Sequence, residues 1–150
     1  AVFSALASIG ADLARVLDLY AGSGALGIEA LSRGAGWCDF VERDPRACAV
    51  IRENLGLTGF AEAAKVYCLA AERSVERLEG PYTLVLADPP YADAGAPAVL
   101  ESLASSQLVE AGRTVIVLEH SAREEPAASL GEFGLVSVRR HGDSAVSIYR

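Results

Sequence analysis

The order of apolar and polar stretches predicts an α/β fold, a doubly wound, mostly parallel sheet of seven strands closed by a C-terminal antiparallel hairpin. Three observations predict it. Short apolar runs alternate with stretches of helical spacing along most of the chain. A glycine-rich loop joins the first of those runs to the helix after it. The closing segment then switches to apolar–polar alternation on either side of His141-Gly142-Asp143-Ser144, the pattern of a hairpin with one covered face.

The elements follow in order. Ala1 to Leu6 reads as the middle of an amphipathic helix, so an N-terminal piece is expected before it. Val16 to Tyr20 is the first strand. Asp18 lies inside it, and a buried carboxylate is costly unless hydrogen-bonded or paired. Loop amides or the ammonium group of a ligand would each satisfy it. Gly22, Gly24 and Gly27, with Ser23 between the first two, fit G-x-G-x-x-G ahead of a helix through Ile28 to Ser32. Without a Cβ, such a loop lets backbone approach a ligand. Trp37 to Val41 is the second strand, and Glu42 at its end lies twenty residues beyond Gly22. An acid at that place accepts hydrogen bonds from ribose hydroxyls, which makes the fold Rossmann-like.

Asp44-Pro45 starts the next helix, with an N-cap acid and proline at the first helical position. Ala47, Val50, Ile51 and Leu55 mark its apolar face, and Gly56 or Gly59 stops it. A strand near Lys65 to Leu69, the Ala70-Ala71 turn, a helix near Glu72 to Leu78 and a Gly80-Pro81 break come next. Thr83 to Ala87 is a buried strand, Ala96 to Ser105 a helix, and Thr114 to Leu118 a strand behind Gly112. Leu135 to Arg139 and Ala145 to Tyr149 form the hairpin.

The chemistry concentrates at Asp88-Pro89-Pro90-Tyr91, directly after the Thr83 to Ala87 strand. Each proline fixes φ near −65° and donates no backbone hydrogen bond. The loop therefore presents acceptors, the Asp88 carboxylate and the carbonyls around Pro89, beside the aromatic face of Tyr91. Acceptors for two N–H bonds and a ring to stack on would hold a planar amino group on a conjugated base. A proline-rich turn capping a strand is the plainer reading of Pro-Pro alone. The glycine loop, Glu42 and Asp-Pro-Pro-Tyr, in order on successive strand ends, favour the ligand site.

Composition narrows the rest. A chain of 150 residues suits a single domain over 1–150 with one core. Residues are 51% hydrophobic, yet no stretch approaches the ~18 uninterrupted apolar residues that a membrane span needs. No secretory signal pattern is present. Cys38, Cys48 and Cys68 are odd in number and widely spaced, which argues for reduced thiols in a cytoplasmic protein. Cys38 and Cys68 fall on strands, as small hydrophobes. No metal site is expected: Cys-x-x-Cys and paired His are absent, and His120 and His141 read as surface or loop residues. The net charge of −7 opposes a broad electrostatic grip on nucleic acid. Arg139-Arg140-His141 is a local basic cluster, readable as a solvated charge pair on a hairpin or as a contact.

With these residues assembled, the chain resembles the class I S-adenosylmethionine-dependent methyltransferases that act on exocyclic or amide nitrogens. More closely it resembles the bacterial 16S rRNA guanine-N2 methyltransferase family. The resemblance rests on Val16 to Ala35, Phe40 to Asp44, Ala87 to Tyr91, Leu118-Glu119-His120, Gly142-Asp143-Ser144 and Ile148-Tyr149.

It implies S-adenosyl-L-methionine as cofactor, with the Gly22–Gly27 loop around its methionine part, Asp18 near its amino group, and Tyr20 and Asp88 also among the residues that bind it. It further implies Glu42 on the ribose hydroxyls and the backbones of Arg43 and Ala71 flanking adenine. Asp88 and the Pro89 carbonyl would grip the target amine and Tyr91 would stack on its base, worth about 1–3 kcal/mol. The implied partner is 16S ribosomal RNA within a small-subunit assembly particle, met by a cytoplasmic, RNA-binding monomer without membrane or metal. The family carries a basic arm before the first helix, and this chain starts without one.

Other readings share parts of the pattern. A methyltransferase acting on DNA adenine-N6 or protein glutamine-N5 has the same fold and often Asn where Asp88 stands. An NAD-dependent oxidoreductase shares the glycine loop and the strand-end acid but gives no reason for Asp-Pro-Pro-Tyr. A non-catalytic scaffold would keep the fold and lose turnover.

Overall fold

The computed structural model describes residues 2–150. Helix α1 (Val2–Ser8) leads into β1 (Val16–Leu19), α2 (Ala25–Ser32), β2 (Cys38–Glu42) and α3 (Pro45–Thr58). β3 (Ala64–Cys68), α4 (Ser74–Arg77), β4 (Leu84–Ala87), α5 (Ala96–Ala104) and β5 (Val115–Ser121) follow. β6 (Ser129–Leu130), β7 (Phe133–His141) and β8 (Ser144–Tyr149) complete the chain. One sheet runs in the order β3-β2-β1-β4-β5-β8-β7-β6, with β1 to β5 mutually parallel and β8, β7 and β6 antiparallel at one end.

The doubly wound sheet and its closing hairpin are those expected, but the strands number eight rather than seven. The additional one, β6, has two residues and folds back on Phe133 and Gly134 across Gly131-Glu132. Two residues are too few to show a period. β5 also runs past Leu118 to Ser121, because β8 continues to pair with it through Glu119↔Val146, His120↔Ala145 and Ser121↔Ser144. His120, expected at the surface or in a loop, is thereby buried on a central strand. His141 does end β7 in an exposed position.

Strand alternation sends side chains to two cores. Leu17, Leu19, Val85 and Ala87 pack under α5 with Tyr82 and Tyr149, whereas Val16, Leu84 and Leu86 pack under α1, α2 and α3. Both faces are covered, which is why the central strands read as unbroken apolar runs. α3 begins as expected: the Asp44 carboxylate accepts from the Arg46 amide at 2.9 Å, Pro45 takes the first turn, and Gly59 ends it with φ 81°. Its buried face is Cys48, Ile51 and Leu55; Val50, assigned to that face from sequence, is 42% exposed. Cysteine is a small hydrophobe, so the true stripe was hidden behind a residue not counted as core. The helix expected over Glu72 to Leu78 is a tight turn, Ala71–Arg73, followed by the single turn α4. The Ser74 hydroxyl donates back to the Ala71 carbonyl at 2.7 Å, tightening the start before Gly80-Pro81 cuts the helix short.

Opposite the carboxyl ends of the strands lies a buried polar network. Asp39 at the start of β2 is 1% exposed and accepts from the Tyr82 hydroxyl at 2.5 Å and the Trp37 indole at 2.8 Å. The Arg15 guanidinium sits 3.5 Å from the same carboxylate and 5.2 Å from the Tyr82 ring centre. Burial and then the Asp39 hydrogen bond push the Tyr82 phenol well above its ordinary value. The network ties β1, β2 and β4 together at their amino ends.

All three cysteines are free thiols, with Cys38 and Cys48 buried. Cys68, expected to act as a buried hydrophobe, is exposed at the end of the outer strand β3. A thiol-reactive probe should therefore modify Cys68 in the folded protein and reach Cys38 only on unfolding. Mass mapping of the labelled peptides checks this.

Candidate functional site

Strand order reverses between β1, which continues through β2 to β3, and β4, which continues to β5. A crevice opens beyond the carboxyl ends of strands at such a point. Here it is a cavity of about 850 Å³, lined from the ends of β1, β2, β4 and β5 and the turn after β3.

The wall after β1 begins at Tyr20, whose φ of 59° is left-handed for a bulky residue. That conformation swings the chain sharply out of the sheet and brings the Gly22 amide within 2.9 Å of Glu42 Oε1. The other oxygen of Glu42 accepts the Asp44 amide at 2.9 Å, so β2's terminal acid is clamped by backbone on both sides. Each oxygen keeps a second lone pair for a ligand hydroxyl. The Asn54 amide holds the loop to α3 through the Ser23 carbonyl at 3.1 Å.

The three glycines divide in role. Gly22 lines the cavity, and a Cβ there would meet open space. Gly24 and Gly27, expected to face a ligand, lie behind the loop and do not line it. A Cβ on Gly27 would stand 2.7 Å from Phe40 Cζ and 2.8 Å from Cys38 Sγ, and one on Gly24 3.1 Å from Ile51. Their missing Cβ atoms let α2 and its loop pack directly on β2 and α3.

Asp18 is 1% exposed and reaches α2, where its Oδ2 accepts the Gly27 amide at 2.9 Å. Of the two partners expected for it, the loop amide is thus present, and the carboxyl still borders the cavity. Burial pushes its pKa up to about 8, the Gly27 bond opposes that, and the charges of Asp88 and Glu42 add to the rise.

Beyond β4 the Asp88 amide bonds to the Leu19 carbonyl at 3.4 Å, and the loop then closes through Asp93 onto the Pro90 carbonyl at 3.0 Å. Asp88, Pro89 and Tyr91 all line the cavity, with Tyr91 59% exposed. Burial, then the Glu119 charge, pushes the Asp88 carboxyl up to about 6. Arg43 and Ala71 line the far side with Leu69. So Asp18, Tyr20, Gly22, Ser23, Glu42, Arg43, Ala71, Asp88, Pro89 and Tyr91 converge on one space.

Glu72, Asp93 and Glu119 also border it. Glu72 and Asp93 sit in turns without a pattern. Glu119 belongs to the Leu118-Glu119-His120 stretch that carries part of the resemblance, and its place at the cavity follows from standing one step past Leu118, the register partner of Ala87 in β4.

The chemistry of this donor set is distinctive. Six carboxyl side chains and one guanidinium, Arg43, line the cavity. That charge balance suits a cationic ligand and opposes the pyrophosphate of a nicotinamide dinucleotide. The Tyr20 hydroxyl is buried and lacks any partner, an unusual condition at the edge of a cavity. Burial, then Asp93 and Glu72, raises that phenol to about 12, so it remains an available donor. Among the described residues no three His, Cys, Asp or Glu are disposed to hold a metal ion, and no helix is long and apolar enough to cross a membrane.

A family model described as "Conserved hypothetical protein 95" matches residues 1–150. The chain is 36% identical over 142 residues to the Bacillus subtilis protein named "Putative rRNA methyltransferase YlbH", covering 93% of this chain and 77% of that one. It is 38% identical over 90 residues to "Ribosomal RNA small subunit methyltransferase D" of Escherichia coli, covering 60% of this chain and 44% of that protein. A solved structure of a conserved hypothetical protein from Streptococcus pyogenes superposes with a TM-score of 0.87 at 33% identity, over 97% of this chain and 92% of the other.

Proposed function

We propose that this chain, which belongs to the Conserved hypothetical protein 95 family, is a methyltransferase acting on the exocyclic N2 amine of a guanine in 16S ribosomal RNA. S-adenosylmethionine is the cofactor expected of this chain, and the cavity suits it. The observation that carries the reading is the acidic cavity at the strand switch with Asp88-Pro89-Pro90-Tyr91 along one wall. A sulfonium and an ammonium are both cations, and a wall of six carboxyls, of which Asp18 holds its proton in the free protein, with a single guanidinium offers them a matching field. The Tyr20 hydroxyl lacks a partner until a polar ligand arrives.

Asp18 would accept the cofactor's amino group, Glu42 its ribose hydroxyls, and the Arg43 and Ala71 backbones would flank adenine. When bound, the cofactor supplies a methyl group made electrophilic by its sulfonium sulfur. Asp88 and the Pro89 carbonyl would each accept one N–H of the target amine. An aryl amine shares its lone pair with the ring and is a poor nucleophile. Two acceptors on its hydrogens favour a pyramidal nitrogen whose lone pair points at the methyl carbon. Asp88 would stabilise the positive charge that develops on that nitrogen as it takes the methyl group, and would accept the proton it releases. Tyr91 would stack on the base, which must leave any helix to arrive.

Ionised Asp88 is the active form, so the pH profile follows from its raised pKa. Turnover should climb about tenfold per pH unit below about 6 and level off above it. A flat profile through that region would remove Asp88 from the reaction.

Asp18 gives a second expectation with opposite consequences for binding and stability. Its carboxyl keeps a proton up to about pH 8 in the folded chain and releases it near 4 when unfolded. Between those values folding takes up a proton, so free-protein stability falls as pH rises. Asp18→Asn should abolish that decline while weakening S-adenosylmethionine binding by about 10–100-fold, the worth of a charged hydrogen bond. Thermal melts at two pH values and calorimetric titration read the two effects.

The substrate assignment is tested by incubating the protein and radiolabelled cofactor with small ribosomal subunits lacking their modifications, followed by nucleoside analysis. N2-methylguanosine from 16S rRNA is expected. Label in adenine-N6, in protein glutamine, or nowhere in rRNA would transfer the chain to another substrate.

A further inference from the structure

A smaller cavity of about 260 Å³ lies on the other side of the Pro89–Tyr91 segment. It shares Pro89, Pro90, Tyr91, Asp93, Ala94 and Glu119 with the larger one, so the two meet beside the catalytic loop. Leu118 and His120 complete its inner wall. Because Leu118 is the register partner of Ala87 on parallel strands, Glu119 and Asp88 follow side by side, Asp88 just past the end of β4 and Glu119 within β5. Their proximity is also felt electrostatically, since the Glu119 charge helps raise the Asp88 carboxyl.

The hydrogen-bonding character of this cavity is one-sided. His120 Nδ1 faces the Ser121 carbonyl at 2.9 Å, and a carbonyl only accepts, so that nitrogen carries the hydrogen. Nε2 then accepts from the Ser147 hydroxyl at 2.6 Å. Both ring nitrogens are consumed within the protein. The remaining titratable side chains on the wall, Tyr91 aside, are Asp93, Glu119 and Glu124, all acceptors when ionised, with neither Lys nor Arg among them. Beside them stand three proline rings, Pro89, Pro90 and Pro97, and the exposed ring of Tyr91, an apolar, stacking surface.

Among the nucleobases, guanine presents two neighbouring donors, N1–H and the N2 amine, on one edge. Adenine presents an acceptor at N1, which would meet a carboxylate lone pair to lone pair. We propose that this cavity is the subsite for the target base and that Glu119 accepts guanine N1–H while Asp88 holds the adjacent N2 amine. Glu119 is then the residue that discriminates guanine from adenine. The proposal rests on the reading of the protein as a guanine methyltransferase and names the residue that enforces it.

The test loads the protein with S-adenosylhomocysteine, so that nucleosides cannot enter the cofactor site, and follows backbone amide shifts by NMR. Guanosine, 2-aminopurine riboside and adenosine are titrated to near-millimolar concentration. 2-Aminopurine keeps the N2 amine but lacks N1–H. Guanosine should shift the amides of Tyr91, Glu119 and His120 and bind about 10–100-fold more tightly than 2-aminopurine riboside. Glu119→Ala should erase that preference. Glu119→Gln, close in shape and able to offer an N–H, should raise adenosine binding relative to guanosine, a change that a purely structural role would not produce.

Equal binding of guanosine and 2-aminopurine, no shift at these residues, or an unchanged preference in Glu119→Ala would overturn the assignment. The labelling of small subunits is read separately. Guanosine preference without an rRNA product would sink the rRNA substrate and keep the subsite, whereas N2-methylguanosine in rRNA without nucleoside preference would do the reverse.

Discussion

Replacing Asp88 with alanine should lower turnover by roughly 10²–10³-fold, the scale seen when one preorganised acceptor or donor is removed from a transition state. Cofactor affinity should change little, because Glu42, Asp18 and the Tyr20–Ser23 wall lie on other strand ends. A single-turnover measurement with bound cofactor separates the two quantities. Asp88→Asn should fall between wild type and alanine: it keeps one acceptor oxygen and gives up the negative charge. It should also lose the inflection near pH 6, since the group responsible is gone. An alanine variant of near-normal rate would show that the amine is held by something else.

The largest effect on stability is expected at the other end of the sheet. Asp39→Ala should destabilise the protein by about 3–5 kcal/mol, because removing one member of a buried charged network leaves the others unpaired. The Tyr82 hydroxyl would lose its acceptor inside the core, and the Arg15 guanidinium and Trp37 indole would lose theirs at its edge. Denaturant unfolding of Asp39→Ala, compared with Asp39→Asn, measures it. Asparagine keeps an acceptor for the tyrosine and should recover part of the loss. Neither variant should alter which nucleoside is methylated, since Asp39 lies at the end of the strands away from the cavity.

The contrast between these two acids explains what could be read from the chain. Asp88 is legible because its neighbours declare it: an apolar run before it, two prolines and a tyrosine after it. Glu42 is legible through its distance from Gly22 and its place after a strand. Both signals are local, and the parallel βαβ topology carries local strand ends to one crevice without further information. Asp39 has no such local mark. Its partners Arg15 and Tyr82 are distant in sequence and meet it only through the β2-β1-β4 neighbourhood.

The same distinction sorts the departures. Gly24 and Gly27 fit a fingerprint whose glycines serve different ends, and only Phe40, Cys38 and Ile51 packed behind them show which. Val50 and Cys48 exchange places on α3 because hydropathy favours valine while the helix phase favours Cys48. Cys68 follows the strand pattern but sits on an edge, where alternation does not guarantee a second layer above it. β6 pairs locally with the start of β7, and its two residues are too few to show a strand period. Its motif puts Tyr20 at the site. The left-handed backbone and unpartnered hydroxyl of that residue show themselves only in the folded chain.

The low density of basic charge bears on how RNA would be held. With net charge −7 and an acidic cavity, affinity cannot come mainly from phosphate contacts made by these residues. Under the proposed function, base stacking on Tyr91 and edge recognition by Asp88 and Glu119 would carry more of the selectivity, acting on a base already removed from its helix.

A crystal structure of the protein soaked with S-adenosylmethionine examines the central claim most directly. The amino group is expected beside Asp18, the ribose on Glu42 and the sulfonium methyl facing Asp88. Density for the donor in another cavity, or its methyl turned away from the Asp88 carboxylate, would contradict it.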